Sequence, residues 1–258
     1  SDVYKRQRLG ALLTDKIAPI LDAVFEPTLN MINQDFAEFP EHRVGFFKLL
    51  RAINLHCFSA LLELPPPKFK LTIDSIIWAI KHTMRDIADT GLNICLELLN
   101  NIANTDPAIA GAFFQQYLLN ILQDIFYVLT DSDHKSGFKT QCLLLARIYE
   151  LIETDKVIVP LWDPAQIPDP NMNNRLFIRQ YTANLLRTAF PHVQPQYIEQ
   201  FVNGLCSLSS DLAQYKVHLR DFLITSREVA GGSDNSDLFL EDKEAEHCLL
   251  YTSPSPRD

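Results

Sequence analysis

The sequence predicts an all-α protein, an α-solenoid of about five antiparallel helix pairs (HEAT repeats). Apolar residues make up 47 % of its 258 residues, and its eight glycines are few for a sheet protein, which needs many tight turns. Apolar side chains also recur at the 3.6-residue helical period, in segments that follow one another in pairs. A globular helical bundle is the alternative, because side-chain identity does not repeat from pair to pair.

The stretch 69–102 gives the clearest pair. Its first apolar stripe consists of Ile73, Ile76, Ile77, Ile80 and Met84. The next helix carries two apolar rows: Ala88, Leu92, Cys95, Leu99 and Ile102, and Ile87, Gly91, Ile94 and Leu98. A helix that is apolar on two sides has neighbours on two sides, as in a stacked helical array.

The other elements follow in chain order. Helical stripes predict helices over 12–32, 41–62, 107–129, 138–152, 175–189, 194–208 and 211–229, and an acidic segment at 233–247 begins another. The pairs therefore lie near 12–62, 69–102, 107–152, 175–208 and 211–247, with a period of roughly 40–50 residues that is close to the HEAT or armadillo period. The proline-rich stretch 154–174 exceeds the usual connection length, and we favour an insertion over a functional loop.

The charge and the cysteines exclude several classes of protein. A net charge of −9 argues against binding to nucleic acid or to an anionic membrane surface. No apolar stretch approaches the roughly 20 residues of a membrane span. An odd number of cysteines without a close pair argues against disulfides and zinc sites and predicts a reducing, intracellular compartment. These cysteines are Cys57, Cys95, Cys142, Cys206 and Cys248.

The sequence carries no catalytic motif, so we predict that the protein is not an enzyme and needs no cofactor or metal. Phosphate loops, GxSxG elbows and HExxH helices are missing from it. We interpret Cys57 as a core thiol rather than a nucleophile, because its neighbour His56 points about 100° away on a helix. We interpret His218, Arg220 and Asp221 as a surface charge patch rather than an acid–base set.

Both ends differ from the rest of the chain. Residues 1–7 (SDVYKRQ) and 249–258 (LLYTSPSPRD) share no periodicity with what they flank. They resemble translated adapter sequence, so we expect the chain to be a fragment and leave these residues out of the fold prediction.

Several long stretches resemble the exportin-1 family of nuclear export receptors, within the importin-β (karyopherin) superfamily. They are 25–43 (FEPTLNMINQDFAEFPEHR), 69–92 (FKLTIDSIIWAIKHTMRDIADTGL), 183–192 (ANLLRTAFPH), 218–224 (HLRDFLI) and 237–244 (DLFLEDKE). The resemblance covers nearly all of 8–247, which it places in the C-terminal HEAT repeats of such a receptor. The loop 154–174 is more similar to fungal-type members than to animal ones.

The resemblance implies a ring-shaped receptor that carries leucine-rich-signal cargo out of the nucleus with Ran-GTP, contacts nucleoporins and shuttles between nucleus and cytoplasm. It also implies that the cargo groove and its reactive cysteine lie outside this chain. The present segment would shape the ring, contribute to Ran binding and help to restrain the groove. From the residues alone, a HEAT-repeat scaffold unrelated to nuclear transport is the alternative.

Polar residues away from the apolar stripes of the second helices are the candidate partner-binding residues. They are Arg51, Asp89, Asn93, Glu97 and Asn100. We expect them to form part of the inner face of the ring. An ordinary solvated surface is the alternative for each.

Overall fold

The computed structural model describes residues 40–131 and 137–229, together with most positions between 16 and 28, which are helical. The helices of the two longer ranges are α1 Pro40–His56, α2 Phe58–Leu62, α3 Pro66–Ile80, α4 Arg85–Ala103, α5 Pro107–Thr130, α6 Phe138–Glu153, α7 Asn174–Ala189, α8 Pro195–Ser207 and α9 Leu212–Val229. Within the described ranges no residue lies in a strand. The all-α prediction is confirmed.

Local sequence signals set where these helices begin. A proline occupies the first turn of α3, α5 and α8, where its missing N–H breaks no intrahelical bond. Asp106 caps α5 by accepting a hydrogen bond from the Ala108 N–H at 2.9 Å. Asn173 caps α7 in the same way, accepting from the Leu176 N–H at 2.9 Å. A proline in the first turn and an Asp or Asn cap are signals that can be recognised in the sequence alone.

The predicted helix 41–62 is wrong in one respect, since the structure interrupts it at Cys57. The backbone there leaves the helical region, with φ −136° and ψ 38°. His56, Cys57 and Phe58 are three consecutive weak helix formers, so the local cost of a break is small. After the break, α2 turns far enough to bury Ala60 and Leu61 in the core.

The helices form two layers. Asn100 of α4 bonds Arg147 of α6, and Arg51 of α1 bonds Glu97 of α4, so these three helices lie side by side. With α8, which packs on α6, they make the second-helix layer. Helices α3, α5 and α7 make the first-helix layer, in which Phe69 of α3 lies against Phe113 of α5. This arrangement is the predicted α-solenoid.

Helix α4 lies at the centre of the stack. It packs against α1, α3, α5 and α6. Its two apolar rows are both buried: Leu92 and Ile94, one from each row, have no exposed surface. The prediction that a helix apolar on two sides has neighbours on two sides is confirmed. Gly91 at the start of α4 faces Ala79 at the end of α3, so that pair is antiparallel.

Helix α9 departs from a simple stack, in which it would lie beside α7. It packs against α8 and reaches across to α6. The Phe222 ring stacks on Phe201 at a centroid distance of 3.8 Å and meets Phe190 edge-on at 5.5 Å. The remainder of the predicted pair 211–247 lies outside the described residues, as do the segments 1–7 and 249–258.

Candidate partner-binding face on the second-helix layer

The five residues predicted from the sequence lie on two adjacent helices of the second-helix layer. Asp89, Asn93, Glu97 and Asn100 form one stripe along α4, and Arg51 lies on α1 beside it. All five side chains are half-buried. The structure therefore brings them to one face.

Arg51 and Glu97 join α1 to α4. The Arg51 Nη2 donates to Glu97 Oε1 at 2.6 Å, and its Nε donates to the same oxygen at 3.0 Å. Hydrogen bonding to this carboxylate raises the pKa of Arg51. The side chains keep 42 % and 19 % of their surface exposed, so solvent screening limits the pair to about 1 kcal/mol.

Asn100 joins α4 to α6. Its Oδ1 accepts a hydrogen bond from Arg147 Nε at 2.7 Å. The same arginine donates through Nη1 to Glu150 Oε2 at 2.8 Å, three residues further along α6. Asn100 thus contacts an arginine that a carboxylate already orients.

Two further amides lie at the α1–α4 contact. Asn101 Nδ2 donates to the backbone carbonyl of Asn54 at 2.8 Å. Asn54 itself is fully buried and donates to the Ile94 carbonyl at 3.4 Å. Neither Asn54 nor Asn101 was among the partner-binding candidates, because those were chosen away from the apolar rows and these two residues lie next to them.

The connections continue from α6 to α7. Glu153 accepts from Arg179 Nη2 at 2.6 Å through its side chain, and its carbonyl accepts from Arg175 Nη2 at 2.8 Å. We call the whole set the polar band. Its members are Arg51, Asn54, Glu97, Asn100, Asn101, Arg147, Glu150, Glu153, Arg175 and Arg179.

Asp89 and Asn93 are held within α4 instead. Asn93 Nδ2 donates to the Asp89 carbonyl at 2.7 Å. The Asp89 carboxylate lies 3.6 Å from Arg85 Nε, while its Oδ1 is buried without a hydrogen-bond partner. Burial raises the pKa of Asp89 above its ordinary value, and the Arg85 charge opposes that shift. These two side chains bind no neighbouring helix in the described residues.

A sequence signal for the polar band exists. Three of its bonds across the second-helix layer join residues 46 or 47 positions apart: Arg51 with Glu97, Asn54 with Asn101, Asn100 with Arg147. That spacing is the repeat period of this chain. A search for complementary polar residues one period apart would have found Asn54, Asn101 and Arg147.

A family model described as CRM1 C terminal matches residues 5–231, which include α1 to α9. The chain belongs to the CRM1 C-terminal family. Exportin-1 of Schizosaccharomyces pombe is 58 % identical over 239 residues, 93 % of this chain and 22 % of that protein. Exportin-1 of Drosophila melanogaster is 46 % identical, over 92 % of this chain and 22 % of that protein. For Protein EXPORTIN 1B of Arabidopsis thaliana the identity is 44 %, over 91 % and 22 % respectively.

This member of the CRM1 C-terminal family spans about a fifth of the length of these relatives. Its identity to the fission yeast protein exceeds that to the fruit fly protein. The higher identity to the fungal protein agrees with the similarity of the loop 154–174 to fungal-type members of the family.

The thiols of this CRM1-family chain are core groups wherever the structure describes them. Cys57, Cys95, Cys142 and Cys206 are buried and form no disulfide with one another, and Cys248 lies outside the described residues. Burial raises the pKa of Cys95 and of Cys206 to about 12. Such thiols stay protonated at neutral pH, which makes them poor nucleophiles.

The described residues also contain no cluster of three or more His, Cys, Asp or Glu that could hold a metal ion. Within the same ranges, no helix has the length and apolarity of a membrane span. His218 does not belong to a surface patch with Arg220 and Asp221. Its ring stacks on Phe201 at 5.0 Å, and its Nε2 lies 2.9 Å from the Phe201 carbonyl oxygen.

Proposed function

We propose that this chain is the C-terminal HEAT-repeat segment of a nuclear export receptor, which carries leucine-rich-signal cargo out of the nucleus together with Ran-GTP. The observation that supports it is identity to proteins named Exportin-1 from two organisms across more than nine tenths of the chain. Residues 8–247 form the receptor's C-terminal repeats, with pairs near 12–62, 69–102, 107–152, 175–208 and 211–247.

In this proposal the segment binds partners and sets the curvature of the ring, and it catalyses no reaction. The receptor shuttles through the nuclear pore, where it contacts nucleoporins, and its cargo groove lies outside the segment. Repeats contact mainly their neighbours, so small rotations at each step add up to a change in the curvature of the ring. A ligand that binds one curvature more tightly shifts the population and so alters affinity at a distant site.

The five candidate residues divide by what they already bind. Arg51, Glu97 and Asn100 hold neighbouring second helices together, so their main contribution is to the spacing of the repeats. Asp89 and Asn93 keep their bonds within α4 and stay half-exposed. We therefore propose Asp89 and Asn93 as the residues of this face that touch Ran-GTP directly.

A binding assay on the full-length protein tests the receptor function. An immobilised peptide carrying a leucine-rich export signal is incubated with the protein and with Ran loaded with GTP or GDP. We expect the protein to be retained with Ran-GTP and lost with Ran-GDP. Equal retention with Ran-GTP and Ran-GDP, or no retention with either, supports a HEAT-repeat scaffold unrelated to nuclear transport instead.

A matched pair of variants tests the face itself. Asn93→Lys adds a charged side chain to α4, whereas Asn120→Lys makes the same change on an exposed position of α5 in the first-helix layer. Asn93→Lys is expected to weaken Ran-GTP binding by about tenfold or more, because a longer, charged side chain would have to be desolvated at the interface. Asn120→Lys should leave binding unchanged. Equal affinities for both variants would remove Asn93 from the contact.

A further inference from the structure

Neighbouring helices of the first-helix layer meet in two different ways. Phe69, the fourth residue of α3, lies against Phe113 of α5 at a ring-centroid distance of 6.3 Å. Lys81, which directly follows α3, donates through Nζ to Asp124 Oδ1 of α5 at 2.8 Å. Helices α3 and α5 are therefore in direct contact near both of their ends.

Helices α5 and α7 are separated by part of the long loop. Phe177 is the fourth residue of α7, the position that in α3 contacts α5 directly, but its ring lies 5.8 Å from Trp162 of the loop. On the other side of the loop, a Cβ on Gly111 of α5 would lie 2.8 Å from a Val159 methyl carbon. The segment 157–162, which we call the spacer, thus lies between the N-terminal halves of the two helices.

The spacer is fixed to α7. Asn174, the first residue of that helix, donates through Nδ2 to the Val157 carbonyl at 2.7 Å and to the Val159 carbonyl at 2.9 Å. Its Oδ1 accepts from the Leu161 N–H at 3.0 Å. Three hydrogen bonds from one amide leave the spacer little freedom relative to α7, so the two move together.

The contact between the spacer and α5 is of a looser kind. Val159 meets the backbone of Gly111 with a methyl group. The Gln115 Nε2 lies 3.5 Å from the Pro160 carbonyl oxygen, at the outer limit of a hydrogen bond. Apolar contact is non-directional, so this one tolerates a small change in the angle between the spacer and α5.

The C-terminal halves of α5 and α7 leave a groove of about 570 Å³ between them. Its walls include Phe126 and Tyr127 of α5 and Leu185 of α7. The Tyr181 hydroxyl donates to Gln123 Oε1 across it at 3.4 Å, which is again a long bond. Close-packed interfaces resist deformation, whereas a groove leaves the two helices room to approach or separate.

On the side of the second-helix layer, the same step is closed. Helix α6 packs against both α7 and α8. Glu153 at the end of α6 accepts from Arg179 of α7 at 2.6 Å, and the buried Tyr149 hydroxyl lies 2.7 Å from the Thr182 Oγ1. One side of the step is thus tied and the other open, which is the geometry of a hinge.

We propose that the step from α5 to α7 is a hinge of this solenoid, and that the spacer sets how far the two helices stand apart. The helices α7, α8 and α9 tilt together with the spacer about α6, which narrows or widens the groove. Repeats stacked on such a step change direction with it, so the hinge alters the curvature of the stack. The proposal rests on the fold and does not depend on a role in nuclear export.

Distances between nitroxide labels, measured by pulsed electron spin resonance on the full 258-residue chain, test the hinge. One label pair, Asn120→Cys with Asn184→Cys, spans α5 and α7, and the other, Asp74→Cys with Asn120→Cys, spans α3 and α5. All three positions are exposed. A Cys248→Ser background removes the cysteine outside the described residues, and the chain's other cysteines are buried. We expect a broader distance distribution for the α5–α7 pair than for the α3–α5 pair.

A matched pair of alanine variants tests the spacer. Asn174→Ala removes the three hydrogen bonds that hold the spacer to α7, whereas Asn171→Ala makes the same change at an exposed position of the same loop. We expect Asn174→Ala to broaden the α5–α7 distribution further and Asn171→Ala to leave it unchanged. The α3–α5 distribution should be the same in both variants as in the parent, which also shows that they are folded.

Three results would overturn the proposal. Equal widths for the two label pairs in the parent chain would show that the step from α5 to α7 is no hinge. An α5–α7 distribution that Asn174→Ala leaves unchanged would remove the role of the spacer. Broadening of both distributions in Asn174→Ala would show that the whole stack loosens and that motion is not confined to this step.

Discussion

Asn54 shows how much a single buried side chain contributes to the α1–α4 contact. The residue has no exposed surface, and its amide reaches the Ile94 carbonyl of the neighbouring helix. Its own backbone carbonyl accepts from Asn101. A buried polar group is tolerated only when it is hydrogen-bonded, so each amide fixes the position of the helix opposite.

At the same scale, Asp89 should make stability depend on pH. Burial raises its pKa, so between the value of an unfolded aspartate, about 3.9, and the raised folded value the native state binds more protons than the unfolded state. Stability therefore falls as the pH rises through that window.

We expect Asp89→Asn to be more stable than the parent at pH 7, because the amide carries no charge to bury. The gain should shrink as the pH is lowered towards about 4, near the pKa of an unfolded aspartate, because below that pKa the group is protonated in both states. Urea unfolding of both proteins between these pH values measures it. A less stable Asp89→Asn at pH 7 would mean that the Arg85 contact outweighs the burial cost.

Among the elements, α3 and α4 owe their close approach to a glycine. A Cβ on Gly91 would lie 2.8 Å from the Ala79 Cβ and 2.8 Å from the Ile80 backbone nitrogen. Backbone atoms cannot move aside as a flexible side chain can. The two helices would have to separate.

Gly91→Ala should therefore destabilise the protein by about 1–3 kcal/mol, even after the better helix propensity of alanine is counted. Gly45→Ala is the matched control, because a Cβ there meets nothing within 4 Å. That change should stabilise α1 by about 0.5–1 kcal/mol. The free energies of unfolding from urea titrations check both, and a neutral or stabilising Gly91→Ala would contradict the observed packing.

The polar band offers a second test at the level of helix pairs. Arg51→Glu or Glu97→Arg alone brings like charges together across α1 and α4, and each should lower the free energy of unfolding by about 1 kcal/mol. The double variant restores an ion pair of opposite polarity and should recover most of that loss. A double-mutant cycle measures the coupling. Additive losses would show that the pair contributes nothing to the helix contact.

For the whole molecule, a solenoid and a globular bundle respond differently to local damage. In a solenoid each repeat contacts mainly its neighbours, so destabilisation spreads only a short way along the stack. Gly204 of α8 is a second close approach, packed against the His218 ring of α9, and lies near the C-terminal end of the described residues, whereas Gly91 lies in the central helix α4.

We expect amide hydrogen exchange to accelerate in α3, α4 and their neighbours in Gly91→Ala, while α8 and α9 keep their protection. Gly204→Ala should give the reverse pattern. Hydrogen exchange followed by mass spectrometry on both variants measures this. The same uniform acceleration in both would instead indicate one cooperative unit, as in a globular bundle.

The sequence by itself determined the fold class, most helix starts and the two buried rows of α4. These follow from local rules, because the 3.6-residue period and a proline or capping residue act within one helix. It also supplied the family, through long stretches such as 69–92. The structure brings the five candidate residues to one half-buried face, and their role in partner binding stays a prediction.

Only the tertiary structure decided which of those residues pair, where the helix 41–62 breaks and what α9 packs against. Arg51 pairs with Glu97, 46 residues further along the chain, and Asn100 accepts a hydrogen bond from Arg147, 47 residues further along. The Phe222–Phe201 stack draws α9 against α8, from which it reaches α6. Such contacts depend on the distances and angles between helices, which are set by side chains far apart in sequence that interlock in the core. No local pattern encodes that geometry.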